Sequence, residues 1–104
     1  MALHYRVELT IRAHSELHGI QEYITQEFFD SETANRQSDR ILKAAETLAV
    51  FPKLYRVRRK DSKGRELRYM SVDNFMIIYS IDDSRHLVKV LHIVYGKRNI
   101  DSII

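Results

Sequence analysis

Arg65-Glu66-Leu67-Arg68-Tyr69-Met70-Ser71-Val72, Asp73-Asn74, Phe75-Met76-Ile77-Ile78-Tyr79-Ser80-Ile81, Asp82-Asp83-Ser84-Arg85, His86-Leu87-Val88-Lys89-Val90-Leu91-His92-Ile93-Val94-Tyr95-Gly96-Lys97-Arg98: this run decides the fold. It holds three β-rich stretches separated by two tight polar breaks. Val, Ile, Tyr and Phe fill the stretches, and Asp, Asn and Ser fill the breaks, which is the pattern of consecutive hairpins. Strands this short need a packed face to be stable in water. Something must therefore cover the sheet.

The first half of the chain supplies the cover. His4 to Leu9 alternates, with Tyr5, Val7 and Leu9 on one side and Arg6 and Glu8 on the other, so it reads as a half-buried first strand. Thr10 is placed to cap a helix from about Arg12 to Phe28. Ala13, Leu17, Ile20, Ile24 and Phe28 form its apolar stripe, and Glu16, Glu22 and Glu27 lie off that stripe toward water. Asp30-Ser31 breaks the pattern and offers a second cap. A second helix then runs from about Glu32 to Val50 on Ala34, Ile41, Leu42, Ala45, Leu48 and Ala49, and Pro52 stops it. The short link makes the two helices an antiparallel hairpin. Tyr55 and Val57 begin a short second strand, and Asp61-Ser62-Lys63-Gly64 is a turn. The tail from Asn99 to Ile104 adds a helical turn.

The expected architecture is a two-layer α+β domain spanning residues 1–104. It has an N-terminal strand, a helical hairpin and a four-stranded antiparallel meander. The sheet is antiparallel or mixed, and its face away from the helices is left open for a partner.

Composition narrows the class. The chain has 104 residues, 44% of them hydrophobic and 30% charged, which suits a soluble domain with one core. No apolar run approaches the roughly 20 residues of a membrane span, and the first residues do not read as a signal peptide. A chain without cysteine has neither a disulfide framework nor a thiolate metal site. A cytoplasmic protein is expected, with no cofactor and no metal. His14 and His18 stand four apart on the first helix, but no third ligand accompanies them, and exposed helix histidines are the better reading. The net charge of +3 hides a division: residues 1–51 hold five Lys/Arg and eight Asp/Glu, and residues 52–104 hold twelve and six, giving −3 and +6. A basic half points to an acidic or polyanionic partner, unless the charges simply solvate a surface.

The whole pattern resembles the RelE/ParE superfamily of toxins from bacterial type II toxin–antitoxin systems. The matching pieces are Tyr5 to Thr10 with Ala13, then Ile20 and Tyr23-Ile24, then Ile41, Leu48 and Pro52. Leu67-Arg68, Asn74 to Asp82, and Val88 to Tyr95 closing on Lys97-Arg98 match best. The resemblance implies a toxin neutralised by a cognate antitoxin, with which it forms a hetero-oligomer. It also implies one of two activities. RelE-like members cut mRNA in the ribosomal A site with side chains on the open sheet face and at the C-terminus. ParE-like members keep the fold but inhibit DNA gyrase and cleave nothing.

Strand-end residues separate the branches. The RelE-like pattern places an arginine where this chain has Met76, and a thioether neither holds a phosphate nor moves a proton. It also places a tyrosine beyond the last strand, where this chain has Ile100, Ile103 and Ile104. Arg98 alone keeps its match. The ParE-like branch is favoured, as a non-enzymatic toxin that arrests growth and stabilises plasmids. The alternative is a ribosome-dependent mRNA endonuclease using Arg68, His92, Tyr95 and Arg98, although His92 and Tyr95 also read as packed residues of the sheet. A further alternative is a harmless nucleic-acid- or peptide-binding module of this fold. On any of these readings the target- or antitoxin-binding residues are Arg56, Arg58, Arg65, Arg68, Lys97 and Arg98, with Arg98 first among them. If Arg56, Arg58 and Arg68 share a sheet face, they make a pocket for phosphates or carboxylates. Otherwise the cations protect an edge strand from aggregation.

Overall fold

A computed structural model describes residues 4–102. Its elements are β1 (Arg6–Leu9), α1 (Ile11–Phe28), α2 (Ser31–Glu46), β2 (Val57–Lys60), β3 (Glu66–Val72), β4 (Phe75–Asp82) and β5 (Leu87–Tyr95). Short 3₁₀ turns follow α2 at Thr47–Ala49 and β5 at Ile100–Ser102. The five strands lie in the order β1-β5-β4-β3-β2. β2 to β5 form the expected antiparallel meander. β1 runs parallel to β5, pairing Arg6 with Leu87 through Leu9 with Val90, so the sheet is mixed.

Local chemistry sets the helix starts. The Thr10 hydroxyl oxygen accepts the Ala13 N–H at 3.1 Å and caps α1. Asp30 accepts the N–H groups of Glu32 and Thr33, and the Thr33 hydroxyl donates to the same carboxylate. α2 ends four residues before the expected Val50. The Thr47 hydroxyl donates to the Ala44 carbonyl, and the Thr47 carbonyl accepts from both Val50 and Phe51, which tightens the last turn ahead of Pro52. At the 61–64 turn, Asp61 accepts the N–H groups of Lys63 and Arg65, and Gly64 takes φ +80°.

The main core lies between the helices and the sheet. Ala13, Leu17, Ile41, Ala45 and Leu48 meet Met70, Ile77, Tyr79, Val88, Val90 and Ile93 there. The face away from the helices is not bare. Leu67, Ile78, Leu91 and Val94 form a second buried cluster, with Tyr69, Met76 and Ile100 packed on it. Ile100 belongs to the C-terminal turn, so the tail covers part of the face expected to be open. Ile103 and Ile104, also expected in that turn, lie outside the described residues.

Two details of α1 depart from its stripe. Phe28, expected in the core, is 66% exposed at the end of the helix. Glu16, expected in water, is largely buried, because β1 stops at Leu9 and α1 takes over the edge of β5 beyond it.

Candidate functional site

The expected site residues fall toward two opposite ends of the sheet. Along β4, Phe75 marks one end and Asp82 the other. Seven residue steps at the usual strand rise separate them by about 24 Å.

At the Phe75 end a groove of about 770 Å³ opens between the C-terminal half of α1, the start of α2 and the last residues of β5. Tyr23, Phe28, Phe75, Tyr95 and Arg98 line it. The Tyr95 ring meets the Phe75 ring edge-on at 6.1 Å. Tyr23 and Tyr95 remain 62% and 45% exposed, so the groove presents large apolar surface to solvent. A turn fixes Arg98 at its rim. The Gly96 N–H donates to the Asn74 carbonyl, and a Cβ at Gly96 would sit 3.3 Å from that oxygen. The Arg98 N–H then closes the turn on the Tyr95 carbonyl. Lys97 is exposed beside it. Glu16 also lines the groove, but its carboxylate is engaged: it accepts the Ile93 N–H at 3.1 Å and lies 3.3 Å from His92 Nδ1. His92 lies within β5, paired with Ile78, and its ring reaches Glu16 of α1.

Toward the Asp82 end, near the middle of the sheet, lies Arg68, opposite Tyr79 and Val57. It therefore shares the helix-side face with Tyr79. Its guanidinium donates to the Tyr55 carbonyl at 2.6 Å. Tyr79 is fully buried and its hydroxyl donates to the Pro52 carbonyl at 2.8 Å. Burial pushes the Tyr79 phenol up to about 12. Beside them the Tyr5 hydroxyl donates to Asp83, and Lys53 pairs with the same carboxylate, so both hold Asp83 below the usual carboxylate range.

Arg56, Arg58 and Arg68 do not share a face. Arg58 stands 5.1 Å over the Tyr69 ring, on the face with Leu67 and Met76. A bulge between Val57 and Arg59 shifts the register there. Arg65 pairs with Asp61 at 2.7 Å, and Arg56 is exposed in the loop before β2. The common basic pocket does not form. Of the four residues a nuclease would need, Tyr95 and Arg98 share the groove. Arg68 lies about 14 Å away along β4, and His92 faces Glu16. His18 pairs with Glu22 at 2.9 Å, and no group of three metal-ligating side chains gathers among the described residues.

The family model for the ParE toxin of the type II toxin–antitoxin system, parDE, matches residues 7–100. The chain belongs to the ParE toxin family. Its fold is shared with solved toxin–antitoxin structures at low identity. A chain of the chromosomal ParDE system of P. aeruginosa superposes with a TM-score of 0.73 at 15% identity, covering 89% of this chain and 97% of that one. A chain of the RelBE2 complex of Mycobacterium tuberculosis gives 0.66 at 17%, covering 91% and 94%. The archaeal RelE–RelB complex of Pyrococcus horikoshii gives 0.63 at 17%, covering 94% and 99%. No curated protein matches in sequence. This ParE-family chain is thus a type II toxin by family, and its expected two-layer α+β fold is the observed one. No helix of the described residues is long and apolar enough to cross a membrane.

An antitoxin groove beside the helical hairpin is an expectation of the resemblance; what the sequence did not show is which residues line it. Its residues come from α1, α2, β4, β5 and the final turn, and only their spatial convergence reveals it. The signal available was modest: Tyr23 and Phe28 are large apolar residues near the end of a helix.

Proposed function

We propose that this chain is a ParE-like toxin that inhibits DNA gyrase and cleaves nothing. One observation carries the reading. The sheet face away from the helices, where a RelE-like site would lie, is an apolar cluster of Leu67, Ile78, Leu91 and Val94 with Met76 and Ile100 packed on it. RNA cleavage needs a base for the 2′-OH, a cation for the phosphate and an acid for the leaving oxygen. One cation on that face, Arg58, stacks on Tyr69, and the nearby imidazole of His92 turns toward Glu16. Met76 contributes only a thioether.

The antitoxin is the partner on this reading. The groove suits an apolar segment laid across Tyr23, Phe28, Phe75 and Tyr95, with Arg98 at the rim taking one of its carboxylates. The toxin then works in the cytoplasm and is released when that segment leaves.

A second reading has one observation in its favour. Tyr95, Arg98 and Glu16 line one groove, so a phenol, a guanidinium and a carboxylate border the same cavity. Transcript mapping in cells expressing the chain without antitoxin separates the two. Growth arrest with intact transcripts supports the gyrase reading. Cuts within translated codons that vanish in Tyr95→Phe establish the endonuclease instead.

A further inference from the structure

The loop between the 3₁₀ turn and β2 presents an apolar pair that the core does not use. The Leu54 N–H donates to the Phe51 carbonyl, so Phe51-Pro52-Lys53-Leu54 is a β-turn with proline in its favoured second position. Its two ends bring Phe51 and Leu54 side by side. Phe51 is 61% and Leu54 69% exposed, with Val50 beside them also exposed. Polar residues and glycine are the usual occupants of such turns.

This turn is held from behind by groups already described. Tyr79 fixes the Pro52 carbonyl, Arg68 fixes the Tyr55 carbonyl, and Asp83 pairs with Lys53. The two hydrogen bonds come from a buried phenol and a partly buried guanidinium. The exposed pair is thus presented in one conformation, which lowers the ordering cost of contact with a partner. Lys53 in the turn pairs with Asp83, and the exposed cation just past the turn is Arg56.

We infer that this turn is a docking surface for the protein that the toxin inhibits, and that it engages an acidic segment of that protein with an apolar pocket for Phe51 and Leu54. The inference rests on the chain being a toxin with a protein target, as proposed above. Two features favour a protein over nucleic acid. Two of the three exposed residues, Leu54 and Val50, are aliphatic and offer no ring for base stacking. Phe51 and Leu54 sit together at the two ends of the turn, exposed as a pair, as anchor residues of a protein interface do. The turn is anchored on Tyr79 and Asp83, and Tyr79 is four residue steps, about 14 Å, along β4 from Phe75 at the groove. A single short antitoxin segment in the groove leaves it free.

The test uses the full chain carrying Phe51→Ser and Leu54→Ser, with Arg56→Glu as a second variant. Both positions of the double variant are exposed, so its melting temperature stays at the wild-type value. Inhibition of purified gyrase weakens roughly tenfold or more, growth arrest on expression without antitoxin is lost, and co-purification with the antitoxin is unchanged. Arg56→Glu weakens inhibition in the same direction. Undiminished growth arrest in the double variant overturns the inference. So does loss of antitoxin co-purification with arrest intact. A duplex DNA or RNA oligonucleotide that binds wild type and not the double variant moves the surface to nucleic acid and overturns it too. If wild type arrests growth without inhibiting gyrase and the double variant does not arrest, the gyrase reading fails and the docking surface stands. A wild-type chain that arrests nothing sinks both.

Discussion

Glu16 on α1 accepts the backbone N–H of Ile93 on β5 at 3.1 Å, so a helix carboxylate completes a strand edge that β1 is too short to cover. β1 pairs with β5 only as far as Val90, and the Thr10 hydroxyl then donates to the Leu91 carbonyl. The β5 edge beyond β1 is finished by side chains. This arrangement frees the last residues of β5 to line the groove with α1.

Glu16→Ala leaves a buried amide donor without its partner. Such a loss costs about 1–3 kcal/mol. Urea denaturation should show that decrease, while Glu16→Gln, which keeps an acceptor oxygen, should lose less. Equal losses in both variants would mean that the charge, and not the edge contact, matters.

Arg68 and Arg98 should behave differently when substituted. Arg68→Ala removes a charged donor from the Tyr55 carbonyl and should lower stability by about 1–3 kcal/mol. Arg98→Glu acts at the groove rim and should leave the melting temperature unchanged while weakening antitoxin capture. Lys43→Glu, on an exposed position of α2, is the control and should do neither. Thermal melts and antitoxin pull-downs of the three variants provide the comparison.

The same contrast marks how far the sequence could be read. Strand and helix identities followed from periodicity, because each run is long enough to show its period and each break carries a capping or turn residue such as Thr10, Asp30 or Gly64. The faces of the arginines did not follow. The bulge between Val57 and Arg59 changes the register of β2, and a one-residue shift sends a side chain to the other face. The parallel pairing of β1 with β5 was not specified either, since four alternating residues fit any edge of the sheet. The end of α2 moved from Val50 to Glu46 because Thr47 hydrogen-bonds back to Ala44, a local competition that an apolar stripe does not register.

The α2 cap should make stability fall in acid. The Thr33 hydroxyl and backbone hydrogen bonds hold the Asp30 carboxyl below its ordinary value. A lowered folded value means stability that is present above about 3.9, the usual Asp value, and lost as pH falls through the lowered one. The stability gap between wild type and Asp30→Ala should therefore be wide at neutral pH and narrow in acid. A gap independent of pH would show that the charged carboxylate adds nothing beyond its shape.

Tyr79 should act at the other extreme. Burial raises its phenol from 10.0 to about 12. A raised folded value gives stability that is complete below pH 10 and lost as pH rises toward about 12. Alkaline titration of unfolding should thus show a loss in wild type over that range that is reduced in Tyr79→Phe. Matching alkaline curves would place the phenol in solvent.

The most direct measurement of the central claim is plasmid supercoiling by purified DNA gyrase titrated with purified toxin, with a ribosome-programmed mRNA incubated in parallel. For a gyrase inhibitor, supercoiling falls as toxin is added, antitoxin restores it, and the mRNA stays whole. Unimpaired supercoiling beside mRNA cut within its codons would contradict the gyrase reading.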